Sequence, residues 1–310
     1  MTKVLNPFMD IAPAVQEALD AGKPVVALES TIITHGMPYP DNSRMAADVE
    51  AIIMAEGAVP ATIAIVDGRL KIGLSADERE KLAQVKGAMK LSRADLAFAL
   101  SEGRTGGTTV AATMLAAHLA GIKVFATGGI GGVHKGAELS FDVSADLEEL
   151  GRTPVIVVSA GAKAILDIEK TLEVLETKGV PVVVYSADVL PAFWSRQSQI
   201  KAPLRLDSAD AIASFQAARD AIDVIGGMLI ANPIPETSEI PAEIMGGYIN
   251  EAIARATKKG VTGKAVTPFL LSALLDITNG ESLKANIALV ENNARLAAKI
   301  AVSLARVRTY

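Results

Sequence analysis

The sequence predicts an α/β fold: a mostly parallel central sheet, helices on both of its faces, and a helical C-terminal part. Three observations carry this. Short apolar runs rich in Val, Ile and Ala recur along the chain. Stretches of helical periodicity separate them. The runs show no polar alternation, as strands buried on both faces do not.

In chain order, the predicted strands span 24–28, 62–66, 123–126, 155–158, 181–185 and 228–231. The first, PVVAL, runs into Glu29-Ser30-Thr31. The third, KVFA, runs into a glycine-rich stretch. The fourth, VIVV, is wholly β-branched and leaves through Ser159-Ala160-Gly161-Ala162. The predicted helices span 42–56, 109–120, 163–178, 209–222 and 238–259. In the third of these, Ile165, Ile168, Leu172 and Leu175 recur at three- and four-residue spacing. From 266 to 307 the chain reads as mostly helical, with a break near Asn279-Gly280. No internal repeat, low-complexity run or flexible linker divides the chain, so residues 1–310 read as one domain.

Half of the 310 residues are hydrophobic, yet only 4% are aromatic. A sizeable core must therefore be aliphatic and alanine-rich. A net charge of −5 with no evident basic face argues against nonspecific nucleic-acid binding. The absence of cysteine excludes disulfides and thiolate metal sites. The opening MTKVLNPFMDIAPAV has no continuous apolar core of the kind a secretory leader needs. No apolar run approaches the roughly 20 residues of a membrane helix. The expectation is a soluble cytoplasmic protein.

In such sheets ligands gather beyond the carboxyl ends of the strands. Lys163 follows the strand at 155–158, on what reads as the first turn of a helix. A cation is disfavoured at that pole, and Asp167 four residues on is the weaker orientation of an ion pair. The same features would make the amine a better nucleophile. A solvated side chain is the commoner fate of such a lysine. Glu29 shares a strand face with Val25 and Ala27, so its pKa could be raised as a general acid requires. A structural ion pair with Lys90 or Arg44 is the competing reading. GGIGGVHKG has the spacing of neither a dinucleotide fingerprint nor a Walker A loop. An ordinary flexible turn accounts for it as well, although His134 and Lys135 add donors. Gly106-Gly107-Thr108-Thr109-Val110 opens a helix, where free amides can hold a phosphate or Thr109 can simply cap. Asp142 and Asp146 flank Ser144; oxygen ligands would suit Mg²⁺ or Mn²⁺, and a capped helix start explains them equally. Asn286 lies on a stripe with Val290, Asn293 and Ala297, which could line a wet pocket or border a surface helix.

Taken together, ALESTIITHGMPYPDN, GAVPATIAIVDG, KLSRADL, GGTTVAATM, FATGGIGGVHKGAELSFDVSADLEELGRTPVIVVSAGAKAILDIEKTLEVLET, ANPIP, GKAVTPFLL and SLKANIALVENNARLAAKIA resemble one family. It is that of the pseudouridine-5'-phosphate glycosidases, also called indigoidine synthase A-like proteins. The resembling blocks span nearly all of the chain from about residue 12 to 300. The resemblance implies reversible cleavage of pseudouridine 5'-phosphate to ribose 5-phosphate and uracil, in pseudouridine breakdown. It implies Lys163 as covalent nucleophile and Glu29 as proton donor. Lys90, Val110, Ser144, Ala145, Asp146 and Asn286 would contact substrate, with Thr127 and His134 in the phosphate pocket. Asp142 would ligate Mn²⁺, largely through waters. A homotrimer is implied, with alanine-rich helices packed between subunits. Two departures from the family pattern are Ala164 for a frequent serine and Lys135 for a frequent arginine. Other readings are a different Schiff-base lyase acting on a sugar phosphate, or a non-catalytic sugar-phosphate-binding protein.

Overall fold

The computed structural model describes residues 6–261, 263 and 266–307. Positions 264 and 265, inside the GKAVTPFLL block, lie outside them. Among the described residues an eleven-stranded sheet runs, from edge to edge, Met9–Ile11, Arg69–Ile72, Val59–Val66, Val25–Leu28, Val124–Ala126, Ile156–Ser159, Met228–Ala231, Val182–Tyr185 and Leu204–Leu206. Gly106–Thr108 pairs beside Val59–Val66, and Met89–Leu91 beside it in turn. From Val59–Val66 to Leu204–Leu206 every neighbouring pair is parallel. Val59–Val66 meets Arg69–Ile72 and Gly106–Thr108 antiparallel.

Successive strand residues point to opposite faces. Val26 with Ala27, and Val157 with Val158, are fully buried neighbours, so both faces are covered. Burying a side chain such as Ile63 or Val157 contributes about 1.5–3 kcal/mol. Helix Glu281–Arg306 lies against the three central strands and packs with Asp41–Ala55 and Ala209–Ala221. Helix Val110–Ala120 packs with Ala145–Arg152.

The crossover from Val25–Leu28 through Asp41–Ala55 to Val59–Val66 steps one way along the sheet. That from Val124–Ala126 through Ala145–Arg152 to Ile156–Ser159 steps the other way. Crossovers of one hand that run in opposite directions cover opposite faces. Strand order therefore reverses between Val25–Leu28 and Val124–Ala126. That reversal opens a crevice at their carboxyl ends, and Glu29 and Thr127 are the residues that follow.

Several elements differ from expectation. The strand expected at 62–66 starts earlier, at Val59. The helix expected over 163–178 begins at Ile168, because Asp167 caps it by accepting the Lys170 N–H. Lys163 sits five residues before that helix, in a turn set by Gly161 at φ +84°, so the helix-pole argument does not apply to it. Gly106–Thr108 is a strand; the helix after it starts at Val110 behind the Thr109 cap. Pro241 delays the helix expected from 238 to Ala242–Lys258. In the alanine-rich helix, Ala111, Ala112, Ala116 and Ala117 are fully buried within their own chain, which leaves those alanines unavailable to a neighbouring subunit. No helix among the described residues is long and apolar enough to cross a membrane.

Candidate active site

Glu29 and Thr127 face each other across the strand reversal, and the Thr127 hydroxyl donates to Glu29 Oε1. Glu29 is half-buried, with packed protein crowding its carboxyl. Burial pushes its pKa above the usual carboxylate range. The Lys163 charge and the Thr127 hydroxyl oppose that rise, and the Asp146 charge adds to it. Glu29 is thus biased toward the protonated form a proton donor must have.

Lys163 reaches the same crevice from the turn after Ile156–Ser159. Its N–H bonds Ile130 O at 3.1 Å, and its own carbonyl accepts from Leu166 N at 3.0 Å. The backbone at 163 is therefore stitched to the glycine-rich loop. Lys90 arrives on Met89–Leu91, in register with Gly107. That glycine is required, because a side chain there would strike Thr34 and the Ser30 carbonyl.

A cavity of about 320 Å³ gathers Glu29, Lys90, Val110, His134, Asp142, Ser144, Ala145, Asp146 and Lys163. It falls within the range of small-molecule sites. A passage of about 40 Å³ is lined in part by Glu29, Thr31, Lys90 and Lys163, which the first cavity shares, and adds His35 and Asn286. Beyond it lies a third space of about 290 Å³, walled partly by Trp194, Leu271, Leu275 and Asn286. A chamber lined by several charged side chains therefore adjoins, past a carboxyl and an amine, one whose walls carry no Asp, Glu, Lys or Arg. Thr127 does not line the first cavity. Its hydroxyl is spent on Glu29, and its carbonyl accepts from Asn293 Nδ2 at 2.9 Å. Asn286 lines the passage and the far chamber only.

Ser144 caps Ala145–Arg152, its Oγ accepting from Asp146 N. Asp146 is no solvated first-turn acid. It is 7% exposed, and its two carboxylate oxygens take the N–H of Ala111 at 2.9 Å and of Gly131 at 2.8 Å. It ties the start of helix Val110–Ala120 to the glycine-rich loop. That loop is no loose turn: a side chain at Gly129 would collide with Phe193, at Gly131 with Ser144 and Asp146, and at Gly132 with Thr171. Asn286 and Asn293 are buried, so their helical stripe faces inward.

For a metal, the described residues contain no cluster of three or more His, Cys, Asp or Glu side chains. Asp142 stands on the polar cavity with Ser144 as its neighbour. One carboxylate beside open space fits a hard cation that keeps most of its water, as Mg²⁺ or Mn²⁺ can, and not a closed protein cage.

Some residues of the site were not anticipated. Thr31 and His35 lie on the turn Ile32–Gly36 and its approach. The Thr34 hydroxyl is 2.7 Å from His35 Nδ1. Burial, aided by the Lys90 charge, holds His35 below the usual histidine pKa, so its ring is neutral at pH 7. Arg93 grips the buried Glu149 with two nitrogens, one at 2.7 Å. It thereby clamps the segment after Lys90 to helix Ala145–Arg152. One of only three histidines, placed seven residues past a strand end, was the available signal for His35; nothing local marked Arg93.

The chain was compared with known proteins. Residues 14–303 match the family model described as indigoidine synthase A like protein. The chain is 70% identical over 299 residues to the pseudouridine-5'-phosphate glycosidase of Mesorhizobium japonicum, covering 96% of this chain and 98% of that one. It is 64% identical over 300 residues to the enzyme of the same name from Dinoroseobacter shibae, covering 97% and 98%. Its structure aligns with the prealnumycin C-glycosynthase AlnA, solved in complex with ribulose 5-phosphate, at TM-score 0.89 and 38% identity, over 97% of this chain and 98% of that one. An indigoidine synthase A-like protein from Thermotoga maritima aligns at TM-score 0.88 and 34% identity, over 96% and 97%. With the match running nearly end to end and the strand-end residues converging on one cleft, the chain belongs to the indigoidine synthase A like family.

Proposed function

We propose that this chain is an enzyme that reversibly cleaves the C–C glycosidic bond of pseudouridine 5'-phosphate, giving ribose 5-phosphate and uracil. The observation that carries the reading is the meeting of Glu29, its pKa raised by burial, with the Lys163 amine between a chamber lined by charged side chains and one without them. Names carried by relatives as much as 70% identical over almost the whole chain support the substrate.

Breaking a carbon–carbon glycosidic bond directly would leave negative charge on a base carbon and positive charge on the sugar. An amine removes that difficulty. The neutral Lys163 nitrogen bonds to C1′ as the C1′–O4′ bond breaks, and the proton that the resulting ammonium sheds turns the ring oxygen into a hydroxyl and restores the nitrogen lone pair. Glu29 then gives its proton to the uracil carbon as the C1′–C bond breaks, and the nitrogen lone pair forms the iminium at C1′. Water hydrolyses the iminium, releasing ribose 5-phosphate and the free amine. In this reading the phosphate and sugar occupy the chamber with Lys90, His134 and Ser144, and the base lies toward Asn286. Asp142 would hold Mn²⁺, which would supply positive charge beside the phosphorylated sugar. A homotrimer in the cytoplasm, acting in pseudouridine breakdown, completes the proposal.

The test is incubation with pseudouridine 5'-phosphate and Mn²⁺, followed by chromatography for free uracil. Uracil release is expected. Its absence, with turnover of an aldol substrate instead, would favour a different Schiff-base lyase.

A further inference from the structure

Among the described residues, two buried side-chain polar atoms have no hydrogen-bond partner: Thr31 Oγ1 and Asn286 Oδ1. Both residues line the passage that joins the two chambers. A buried polar atom left unpaired costs about 1–3 kcal/mol, so such atoms are few and gather where a ligand completes them. Asn286 already has a place in the proposed reaction. Thr31 does not.

Thr31 borders the polar chamber as well as the passage, as do Glu29, Lys90 and Lys163. It is therefore placed with the carboxyl and the two amines where the two spaces meet, while His134 and Asp142 line the polar chamber and not the passage. Its backbone does structural work, since its carbonyl lies 3.5 Å from the Thr34 hydroxyl, but its hydroxyl caps nothing. The two neighbouring hydroxyls are committed: Ser30 Oγ donates to Ile63 O at 2.6 Å, and Thr34 bonds Ser30 O and His35. Of these three hydroxyls the chain has satisfied all but that of Thr31, which lines both spaces together with Lys163. A hydroxyl can both donate and accept, which suits a polyhydroxylated sugar whose ring oxygen turns into a hydroxyl.

We infer that Thr31 is a further substrate-contact residue, its hydroxyl hydrogen-bonding a pentose oxygen next to the carbon that Lys163 attacks. The inference deepens the proposed function and rests on it. A structural hydroxyl and a ligand-binding one give opposite signatures on removal. Thr31→Val keeps the branched shape and deletes only the oxygen.

The test is calorimetric titration of ribose 5-phosphate into the whole protein, the Thr31→Val variant and the Thr31→Ser variant, each with its thermal midpoint. Thr31→Val is expected to melt no lower than the parent and to bind ribose 5-phosphate about tenfold more weakly, the equivalent of one neutral hydrogen bond. Thr31→Ser is expected to restore the affinity. Parent-like binding by Thr31→Val would overturn the inference while leaving the proposed function standing. A clear fall in its thermal midpoint would also overturn it, by showing that the fold uses the hydroxyl. An unaltered protein that binds no ribose 5-phosphate would remove the proposed function, and this inference with it.

Discussion

The Thr127 hydroxyl donates to the Glu29 carboxyl across the two central strands, and Thr127 is in turn held through its carbonyl by Asn293. The proton donor is thereby tied, through Thr127, to the long C-terminal helix. This hydrogen bond lowers the Glu29 pKa against the larger effect of burial, which raises it.

The sign of the pH dependence follows. Glu29 must be protonated to donate, so activity should fall as pH rises through its elevated pKa. Removing the Thr127 donor should raise that pKa further, because a bond favouring the charged form is lost. Thr127→Val is expected to move the alkaline limb of the pH–rate profile to higher pH. An unmoved limb would disconnect Glu29 from it.

Glu29→Gln should lose turnover, by about 10²–10⁴-fold for a missing acid, without losing stability. A carboxyl whose folded pKa is raised binds its proton more tightly folded than unfolded. Its stabilising effect is present below the unfolded pKa and disappears as pH climbs through the folded value. Near neutral pH the buried acid is therefore a burden that glutamine relieves. Thermal melts at pH 5 and pH 8 should show the variant gaining on the parent at the higher pH.

Lys163→Ala should fold, because position 163 is anchored through its backbone N–H and carbonyl. Borohydride reduction in the presence of ribose 5-phosphate should attach the sugar to the parent at Lys163 and leave the variant unmodified. Peptide mass spectrometry reads the result. Unimpaired turnover by the variant would reject a covalent route.

Asp146→Ala strips the acceptors from two N–H groups, those of Ala111 and Gly131. The expected cost is about 3 kcal/mol, since hydrogen bonds to a charged acceptor contribute about 1.5–3 each. Denaturant titration measures it. Because the Asp146 charge raises the Glu29 pKa, the residual activity should show its alkaline limb at lower pH, opposite in direction to Thr127→Val.

Asp142→Asn should weaken Mn²⁺ binding, followed by the electron paramagnetic resonance of free Mn²⁺, with little change in melting. The side chain is half-exposed and forms no ion pair among the described residues. Undiminished Mn²⁺ binding would move the cation elsewhere.

The strands around the crevice were legible in sequence because two-sided burial demands uninterrupted Val, Ile and Ala. Glu29, Lys163 and their neighbours were legible as strand-end residues, and the resemblance gave them roles. The edge was harder to read. Gly106 and Gly107 have little strand propensity; the strand Gly106–Thr108 exists because Val59–Val66 and Met89–Leu91 pair with it on its two sides. The turn holding Lys163 looked helical because Ile165 and Ile168 keep the right spacing, but Gly161 and the Asp167 cap decide otherwise. Asp146 looked like an ordinary first-turn acid because its partners, Ala111 and Gly131, are 35 and 15 residues away. Long-range backbone contacts of that kind leave no local trace.

The tight seating of Gly129, Gly131 and Gly132 bears on attempts to redirect the enzyme toward other carbon-linked bases. Variation in that segment has nowhere to go, since any added methyl meets Phe193, Ser144 or Thr171. The opposite wall is made of ordinary side chains, Leu271, Leu275 and Leu283, which can be trimmed or exchanged. A directed library belongs there, and the glycines are best left untouched as the fixed half of the mould.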